Sequence, residues 1–559
     1  MKYLKNIILR GKAVGFGLLL LGLTLVLGQS APVTAVSAIV FPHQTGTLYT
    51  PYLEWSVTNT TYSGNPYDLV ATVTFTHNGS NETRTTEMFY AGSNTWQFRF
   101  SGTQTGNWSF VTGSTDSDLN GHTGLLTIND QPDEPGFVTH YDNKWGRVGT
   151  QEAFVPQFVM VSAPHNYYNN TSRVDAEIQT FIVQHGFNGF HTPVFCRWFE
   201  IDQPKCGQLT NYDPDPKTFA ALELLIAKVY EAGGIVHIWM WGDDNQQQNP
   251  NFLPGGINGA VDRRLQRYIA ARLGPLPGWT MSYGFDLIEW VSGNQLTTWH
   301  DNMQGYFGWP HYLGARSQKN QLTQLSEAMD YSSYEQFRPT YDKYVQTIDM
   351  RPTKPSFSED RFRIRTVDGT PTKDYNMEMT RRGLWDSTMA GGVANIWGNL
   401  TGDTSANDGS DTSFPYSNPE WIKTYATFFA DRFILDLDRC NSLTNGVCLQ
   451  RPNNKDYIFY GEDVTSLQLN LAGMSGGQTA VAVDAAKVYS EINLGKLNPS
   501  NQTWRAPYRS DWAIAIGDFS DLPCVPGGGL YTFSANMLSD MAALNHKIYL
   551  PFIGNNSCP

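Results

Sequence analysis

The chain has 559 residues, of which 40% are hydrophobic, 13% aromatic and 16% charged, and its formal net charge is −13 at pH 7. This length predicts two to four domains, and the composition has too much apolar material and too few charges for a disordered chain. The acidic balance, without any cluster of Lys and Arg, argues against nucleic acid or an anionic membrane as a partner.

Residues 1–38 have the pattern of a secretory signal peptide. Four basic residues precede an almost wholly apolar run at 15–28, and small residues stand at 36–38, as signal peptidase requires. The apolar run is short for a membrane span. We therefore expect a secreted or extracytoplasmic protein that has no membrane association once this segment is removed.

The next segment alternates apolar and polar residues in short stretches separated by Gly, Asn and Ser. Residues 69–75 and 95–100 show this period of two clearly, which is typical of strands with one buried face. We predict a β-sandwich over residues 39–135.

From residue 140 to 435, strand-like apolar runs alternate with amphipathic helical segments. The eight predicted strands are 154–161, 187–195, 235–241, 285–290, 311–315, 328–331, 355–358 and 393–397. Eight such units predict a (β/α)8 TIM barrel. Period-two alternation then returns, which predicts a small C-terminal β-sandwich over residues 450–520, whereas residues 521–559 fit no pattern.

The six cysteines suit an oxidising compartment. Their proximity in sequence favours the pairs Cys196–Cys206, Cys440–Cys448 and Cys524–Cys558, although other connectivities remain open. None has the spacing of a zinc site, so we expect structural disulfides and no metal. The sequence has no Gly-rich phosphate loop and no HExxH motif, so it implies no cofactor. The acidic loop at 403–411 is more typical of a solvated loop than of a Ca²⁺ site.

Two glutamates stand where predicted strands end. Glu289 closes the run at 284–289 and Glu359 closes the run at 354–359, and the catalytic side chains of TIM barrels lie at such positions. A carboxylate at the end of an apolar strand costs free energy unless it is paired or functional. The alternative for each is a structural ion pair with an arginine of the barrel.

The N-terminal region resembles the Ig-like domain that precedes the barrel in a group of secreted bacterial glycosidases, in the segments Asn65-Pro66-Tyr67, Trp96-Gln97-Phe98-Arg99-Phe100 and Gly106-Asn107-Trp108. The barrel is similar to the clan of retaining (β/α)8 glycosidases that includes apiosidase-like enzymes. Residues 455–518 look like the small β-domain that often closes such chains.

The resemblance implies that Glu289 is the general acid/base after strand four and that Glu359 is the nucleophile after strand seven. Retaining enzymes of this kind hold the two carboxyl groups about 5–5.5 Å apart. Many members of the clan carry Asn directly before the acid/base, where this chain has Ile288. We expect Glu289 to hold the shared proton, because Trp290 is adjacent, and Glu359 to stay ionised.

Other polar and aromatic residues near predicted strand ends are candidates for lining a cleft. Those predicted to bind substrate are His191, Trp239, Trp241, Asp243, Asp244, His311, Arg316, Tyr331 and Trp397. Core packing is the alternative for the tryptophans, and a loop exposed to solvent is the alternative for the two aspartates.

These features together predict a retaining glycoside hydrolase that acts on an extracellular poly- or oligosaccharide. Two other functions remain open. One is a carbohydrate-binding or adhesion protein with an inactive barrel. The other is a polysaccharide lyase, which would need Tyr331, His311 and Arg316 to converge around a uronate.

Overall fold

The computed structural model describes residues 38–317, 322–335, 340–363, 376–398, 416–433 and 435–519. Along the described part of the chain, a region of β-strands is followed by a region in which strands and helices alternate, and then by a second region of β-strands. None of the described helices is both long and apolar enough to span a membrane.

The first eight strands form two sheets around a common core. They are β1 (Gln44–Thr47), β2 (Leu53–Thr58), β3 (Ala71–His77), β4 (Thr83–Glu87), β5 (Phe89–Gly92), β6 (Thr95–Phe100), β7 (Gly106–Ser114) and β8 (Thr123–Asn129). One sheet has the order β1-β8-β7-β3-β4 and the other β2-β6-β5. Phe75, Phe98 and Phe110 pack on Trp55 between them, so the alternating apolar residues of the sequence form this core.

A short hairpin that the sequence pattern did not predict follows the two sheets. It consists of β9 (Val138–Tyr141) and β10 (Lys144–Arg147). Trp145 is buried in the inner core of the barrel and donates its indole N–H to the carbonyl of Ser356 at 3.0 Å. Ser356 begins a barrel strand, so the hairpin covers the amino-terminal end of the barrel.

Eight parallel strands form the central sheet. They are β11 (Gln157–Met160), β12 (Gly189–Pro193), β13 (Ile235–Trp241), β14 (Trp279–Gly284), β15 (Leu313–Gly314), β16 (Ser332–Tyr334), β17 (Ser356–Arg363) and β18 (Ala394–Gly398). Their order is β15-β14-β13-β12-β11-β18-β17-β16. Backbone hydrogen bonds from Asp330 to Leu313 (2.9 Å) and from Ser317 to Ser333 (3.2 Å) join the two outermost strands. The sheet thereby closes in the manner of a TIM barrel.

In the described part of the chain, seven helices accompany these strands: α1 (Thr171–Glu177, which continues as a π-helix over Ile178–His185), α2 (Pro216–Glu231), α3 (Ala260–Leu273), α4 (Gly293–Tyr306), α5 (Tyr341–Met350), α6 (Met377–Met389) and α7 (Pro419–Phe429). Helix α2 begins at a Pro with Asp215 as its N-cap, a favourable start for a helix. Its buried face, including Leu222 and Ile226, packs in the large core that also holds outward residues of the strands.

The predicted position of strand four is wrong. The strand is β14, and the chain leaves the sheet at Gly284 (φ 147°) and Asp286 (φ 52°). The apolar run after it forms a 3-10 turn at Leu287–Glu289. Buried Thr280 and Ser282 interrupt the apolar pattern of the true strand, which is why the pattern pointed to the following segment. Strand six likewise lies at β16, just after the predicted 328–331.

The C-terminal strands are β19 (Asp438–Arg439), β20 (Val447–Gln450), β21 (Tyr457–Asn470), β22 (Gln478–Asp484), β23 (Glu491–Leu497) and β24 (Asn501–Ile516). They form one antiparallel sheet in the order β19-β20-β21-β24-β22-β23, where the sequence predicted a sandwich. Register shifts between Gly461 and Ser466 distort the long pair β21–β24, and such bulges increase the bend and twist of a strand. The sheet surrounds a core that contains Phe459, Leu467 and Trp512.

Two of the predicted disulfides, Cys196–Cys206 and Cys440–Cys448, are present. The third pair, Cys524–Cys558, lies outside the described residues, as do the acidic loop at 403–411 and the unassigned tail at 521–559. In the described ranges, no group of His, Cys, Asp and Glu is arranged to hold a metal ion.

Candidate active site

Glu359 lies inside the barrel, on strand β17. The pairing of β17 with β18 shifts register between Ser358 and Arg361, and an irregularity of this kind re-aims the side chain that it carries. The Glu359 side chain is fully buried, and its Oε2 accepts the indole N–H of Trp239 at 2.9 Å. A carboxyl group is thus placed among neutral hydrogen-bond donors.

Burial raises the pKa of the Glu359 carboxyl above its ordinary value. The hydrogen bond from Trp239, the nearby hydroxyl groups of Ser333 and Ser282, and the positive charge of Arg316 lower the pKa in part without cancelling the effect of burial. The reason for expecting Glu289 to hold the shared proton was that Trp290 would shield it from solvent. That reason is wrong, since Glu289 is exposed and Glu359 is fully buried.

A chain of buried rings lies beneath Glu359. The Nε2 atom of His237 is 3.8 Å from Glu359 Oε1 and 3.2 Å from the Tyr331 hydroxyl, and its Nδ1 is 2.8 Å from His191 Nδ1. All three rings are completely buried, and burial lowers the pKa of His237 well below its ordinary value. His237 and Trp239 therefore lie next to the Glu359 carboxyl group inside the barrel, and His191 and Tyr331 contact His237.

Arg316, just after β15, links the ends of four strands. Its Nη2 lies 2.7 Å from Asp286 Oδ1 and 3.2 Å from Glu335 Oε2, and its Nη1 donates to the Glu359 carbonyl at 3.2 Å. The guanidinium also lies 5.7 Å from the centre of the Trp239 ring, within the range of a cation–π contact. One cation thereby holds together the carboxyl-terminal ends of β14, β15, β16 and β17.

Glu289 lies on the exposed rim, in the 3-10 turn after β14. Its pKa is raised by partial burial and then by the negative charges of Asp286, Asp243, Asp244 and Glu335. Like charges disfavour ionisation, so these carboxylates help Glu289 to retain a proton. Asp243 and Asp244 are half-buried, and they are tied to their own loop by bonds from the Asn245 amide (2.7 Å) and Asn249 (2.9 Å) respectively.

Three residues predicted to bind substrate lie elsewhere. His311 precedes β15, stacks on Trp279 at 4.0 Å and bonds to the Gly274 carbonyl, all at the amino-terminal end of the barrel. The arrangement of His311 with Arg316 that a lyase would need is therefore not formed. Trp241 and Trp397 are fully buried in the core shared with the helices, and Trp397 donates to Gln157 at 2.7 Å, so neither offers a face to a sugar.

Asp286 and Glu335 are absent from the set of site residues that the sequence predicted, although both contact Arg316. Each follows a strand end, so correct placement of β14 and β16 would have identified them. Ser282 and Ser333, whose hydroxyl groups act to lower the pKa of Glu359, had no sequence signal, since small hydroxyl residues occur throughout the chain.

Comparison with known proteins gives a partial family match and extensive likeness of fold. Residues 51–115 match a family described as a domain of unknown function, DUF5060. No curated protein matches the chain. A candidate glycoside hydrolase from Bacteroides vulgatus, known from its crystal structure, is 16% identical and superposes with a TM-score of 0.70, over 85% of this chain and 100% of that chain.

Two further solved structures share the fold less closely. A glycoside hydrolase family 5 protein from Bacteroides vulgatus is 11% identical, with a TM-score of 0.52 over 70% of this chain and 96% of that one. A protein described as a glycoside hydrolase is 9% identical, with a TM-score of 0.53 over 70% of this chain and 100% of the other. At these identities the likeness establishes the fold, and the function must be argued from the site.

Proposed function

We propose that this chain is a retaining glycoside hydrolase acting on an extracellular poly- or oligosaccharide. The observation that carries the proposal is Glu359, a fully buried carboxyl group held by the indole of Trp239 at the carboxyl-terminal end of the barrel, close to an acidic rim. Glycoside hydrolysis needs two carboxyl groups of different protonation state. The fold likeness to glycoside hydrolases agrees with this chemistry.

In the proposed mechanism, Glu289 protonates the leaving glycosidic oxygen while ionised Glu359 attacks the anomeric carbon. The glycosidic bond breaks and a glycosyl ester forms on Glu359. Glu289, now ionised, takes a proton from water, which hydrolyses the ester and restores both residues. The carboxylates that raise the pKa of Glu289 favour its acid role in the first step.

Arg316 supports the relative placement of the two glutamates. It is ion-paired to Asp286 and Glu335, whose charges act on Glu289, and it donates to the backbone carbonyl of Glu359. Both proposed catalytic groups therefore adjoin one cluster of charges. Asp286 is the alternative acid, since it is the first carboxylate after β14.

The direct test is to incubate the purified protein, without residues 1–38, with plant and algal polysaccharides. We expect new reducing ends, with the first product detected by NMR keeping the anomeric configuration of the substrate. The matched Glu359→Gln protein should release none. A product of inverted configuration would overturn the retaining mechanism, an unsaturated product absorbing in the ultraviolet would indicate a lyase, and binding without release would indicate a binding protein.

A further inference from the structure

The core of the N-terminal sheets (β1 to β8) and the large core of the barrel each contain an aromatic side chain from the other. Trp309, between α4 and β15, is buried in the core of the N-terminal sheets, where its ring lies 5.9 Å from Phe100 and its indole N–H donates to the Ser101 carbonyl at 2.9 Å. Phe89 on β5 is buried in the core that holds the barrel helices, 5.9 Å from the ring of Tyr268 on α3. Neither core is therefore complete without the other part of the chain.

Arg99 on β6 binds the C-terminal end of helix α3. Its Nη1 donates to the carbonyl of Arg272, in the last turn of α3, at 2.8 Å, and lies 2.8 Å from Glu223 Oε1 on α2. Glu223 is also ion-paired to Arg272. A cation at the last carbonyls of a helix satisfies their hydrogen bonding and complements the helix dipole. Both arginines are buried, so removing one partner would leave a charge unpaired away from water, which is costly.

Further ion pairs follow helix α3 towards its start. Arg267 Nη2 lies 2.6 Å from Glu87 Oε2 on β4. Arg264, one turn earlier, lies 2.7 Å from Asp68, between β2 and β3, and 2.7 Å from Asp213, just before α2. The N-terminal sheets and their loops therefore contact α3 from its second turn to its last.

The contacted part of the barrel runs from α2 to the start of β15. Helix α3 connects β13 to β14, and Trp309 lies in the connection from α4 to β15. The helices of a TIM barrel form a ring that packs on its strands, so contacts that fix α3 also restrain β13 and β14. These two strands lead into Asp243, Asp244 and Asp286, which belong to the acidic rim.

The aromatic side chains of the N-terminal sheets are occupied by packing. Trp55, Trp96 and Trp108 are buried. Across residues 38–135, all of which the structure describes, the exposed large apolar side chains are aliphatic: Ile39, Val40, Val70, Val111 and Leu125. A surface that binds sugar rings by stacking would need an exposed aromatic ring, and these residues supply none.

We propose that the N-terminal sheets, whose residues 51–115 match the domain family of unknown function, are a brace of the barrel that folds in one cooperative unit with helices α3 and α4. Their function is to hold the segment from β13 to β15 in place. An independently folding module would have a complete core of its own and would meet the barrel through a smaller, more polar interface. The inference does not depend on the proposed catalytic residues.

The test is native-state hydrogen exchange of the chain without residues 1–38, followed peptide by peptide by mass spectrometry. Phe75→Leu weakens the core of the N-terminal sheets, where the Phe75 ring packs on Phe100 at 4.5 Å. We expect exchange in β3 and β7 and in helices α3 and α4 to rise by the same factor, about tenfold or more. The matched control is Val111→Ala, on the exposed face of β7, which should leave exchange in both regions unchanged.

The reciprocal variant is Trp309→Leu, which changes the barrel segment and is read in the N-terminal sheets. It should raise exchange in β3 and β7, although these strands are more than 190 positions away in the chain. A rise that Phe75→Leu confines to residues 39–135, with α3 and α4 as protected as in the wild type, would overturn the proposal and indicate an independently folding module.

A measurement on the unsubstituted protein guards against a variant that does not fold. Exchange is followed at low concentrations of urea, where the dependence of each amide on urea reports the surface exposed when that amide opens. The slowest amides of β3 and of α3 should share one free energy of opening and one dependence on urea. Two distinct openings, with β3 exchanging while α3 stays closed, would contradict the single cooperative unit.

Discussion

Glu359 in the barrel and Asp511 in the C-terminal sheet are both buried carboxyl groups, but their partners differ. Asp511, on β24, accepts from Arg382 on α6 at 2.9 and 3.0 Å, from Arg381, and from the Asp463 amide at 2.7 Å. Burial acts to raise its pKa, but these donors lower it below the ordinary value. Glu359 is held mainly by neutral donors, and its pKa is raised.

The contrast separates a structural carboxylate from a reactive one. Asp511 forms structural ion pairs, the role that was the alternative for each of the two glutamates. Its two arginine partners, Arg381 and Arg382, attach helix α6 to the C-terminal sheet. The adjacent positive charges balance the charge of such a carboxylate and favour its ionised form. Among the side chains that the structure describes, no arginine is ion-paired to the Glu359 carboxylate, since Arg316 donates to its backbone carbonyl and binds other carboxylates. Its charge is available for chemistry.

The largest expected effect is on turnover. Glu359→Gln should reduce kcat by about 10⁴–10⁶-fold, as for the loss of nucleophiles in other enzymes, while the protein stays folded. Asp511→Asn, assayed at a temperature where it is folded, should keep near wild-type kcat because Asp511 lies outside the cleft. Similar kcat losses in both variants would abolish the distinction between the two sites.

Loss of the proposed acid/base comes next. Glu289→Ala should reduce hydrolysis of substrates with poor leaving groups by about 10²–10⁴-fold, and much less for activated aryl glycosides, which need little protonation. Azide should partly restore turnover of the activated substrates by replacing water in the second step. The matched variant is Asp286→Asn. If that variant alone shows the dependence on the leaving group, the acid/base role belongs to Asp286.

The third effect is on stability, and here substitution of Asp511 should be the more damaging, whereas substitution of Glu359 is the more damaging to turnover. Asp511→Asn leaves two arginine side chains without their shared anion and should lower the free energy of unfolding by about 3–5 kcal/mol, as when a buried pair is broken. Asp463→Asn is the control, because its pair with Arg509 is largely exposed, and should cost less than about 1 kcal/mol. Urea denaturation of both variants measures the difference.

The smallest effect is the pH dependence of stability. As the pH rises, the contribution of Glu359 to the free energy of unfolding should fall, whereas that of Asp511 should increase. The raised pKa of Glu359 means that its contribution is fully present below its ordinary pKa of 4.5 and is lost as the pH rises above that value. Glu359→Gln should therefore gain stability relative to the wild type between pH 4.5 and neutrality. A constant difference across this range would contradict the raised pKa.

The lowered pKa of Asp511 works in the other direction. Its contribution is fully present above the ordinary pKa of 3.8 and is lost as the pH falls below it. The stability difference between wild type and Asp511→Asn should therefore shrink only in acid. A difference that persists unchanged below pH 3 would show that the pair does not depend on the charge of Asp511.

The sequence alone determined much of the architecture. Period-two alternation identified strands of the N-terminal sheets such as β3 and β6, because each buries one face, and apolar runs identified strands such as β13 and β18. Two disulfides followed from short separations in the chain. Glu359 was singled out because a carboxylate in an apolar strand costs free energy unless it is paired or functional.

Only the tertiary structure decided which residues meet. β14 was missed because its buried Thr280 and Ser282 interrupt the apolar pattern by which a buried strand is recognised. The directions in which Trp241 and Trp397 point depend on packing against helices. The contacts of Arg316 with Asp286, Glu335 and Glu359 join residues 19 to 43 positions away. Those contacts form only when parallel strands close into a barrel, which brings their carboxyl-terminal ends to one rim.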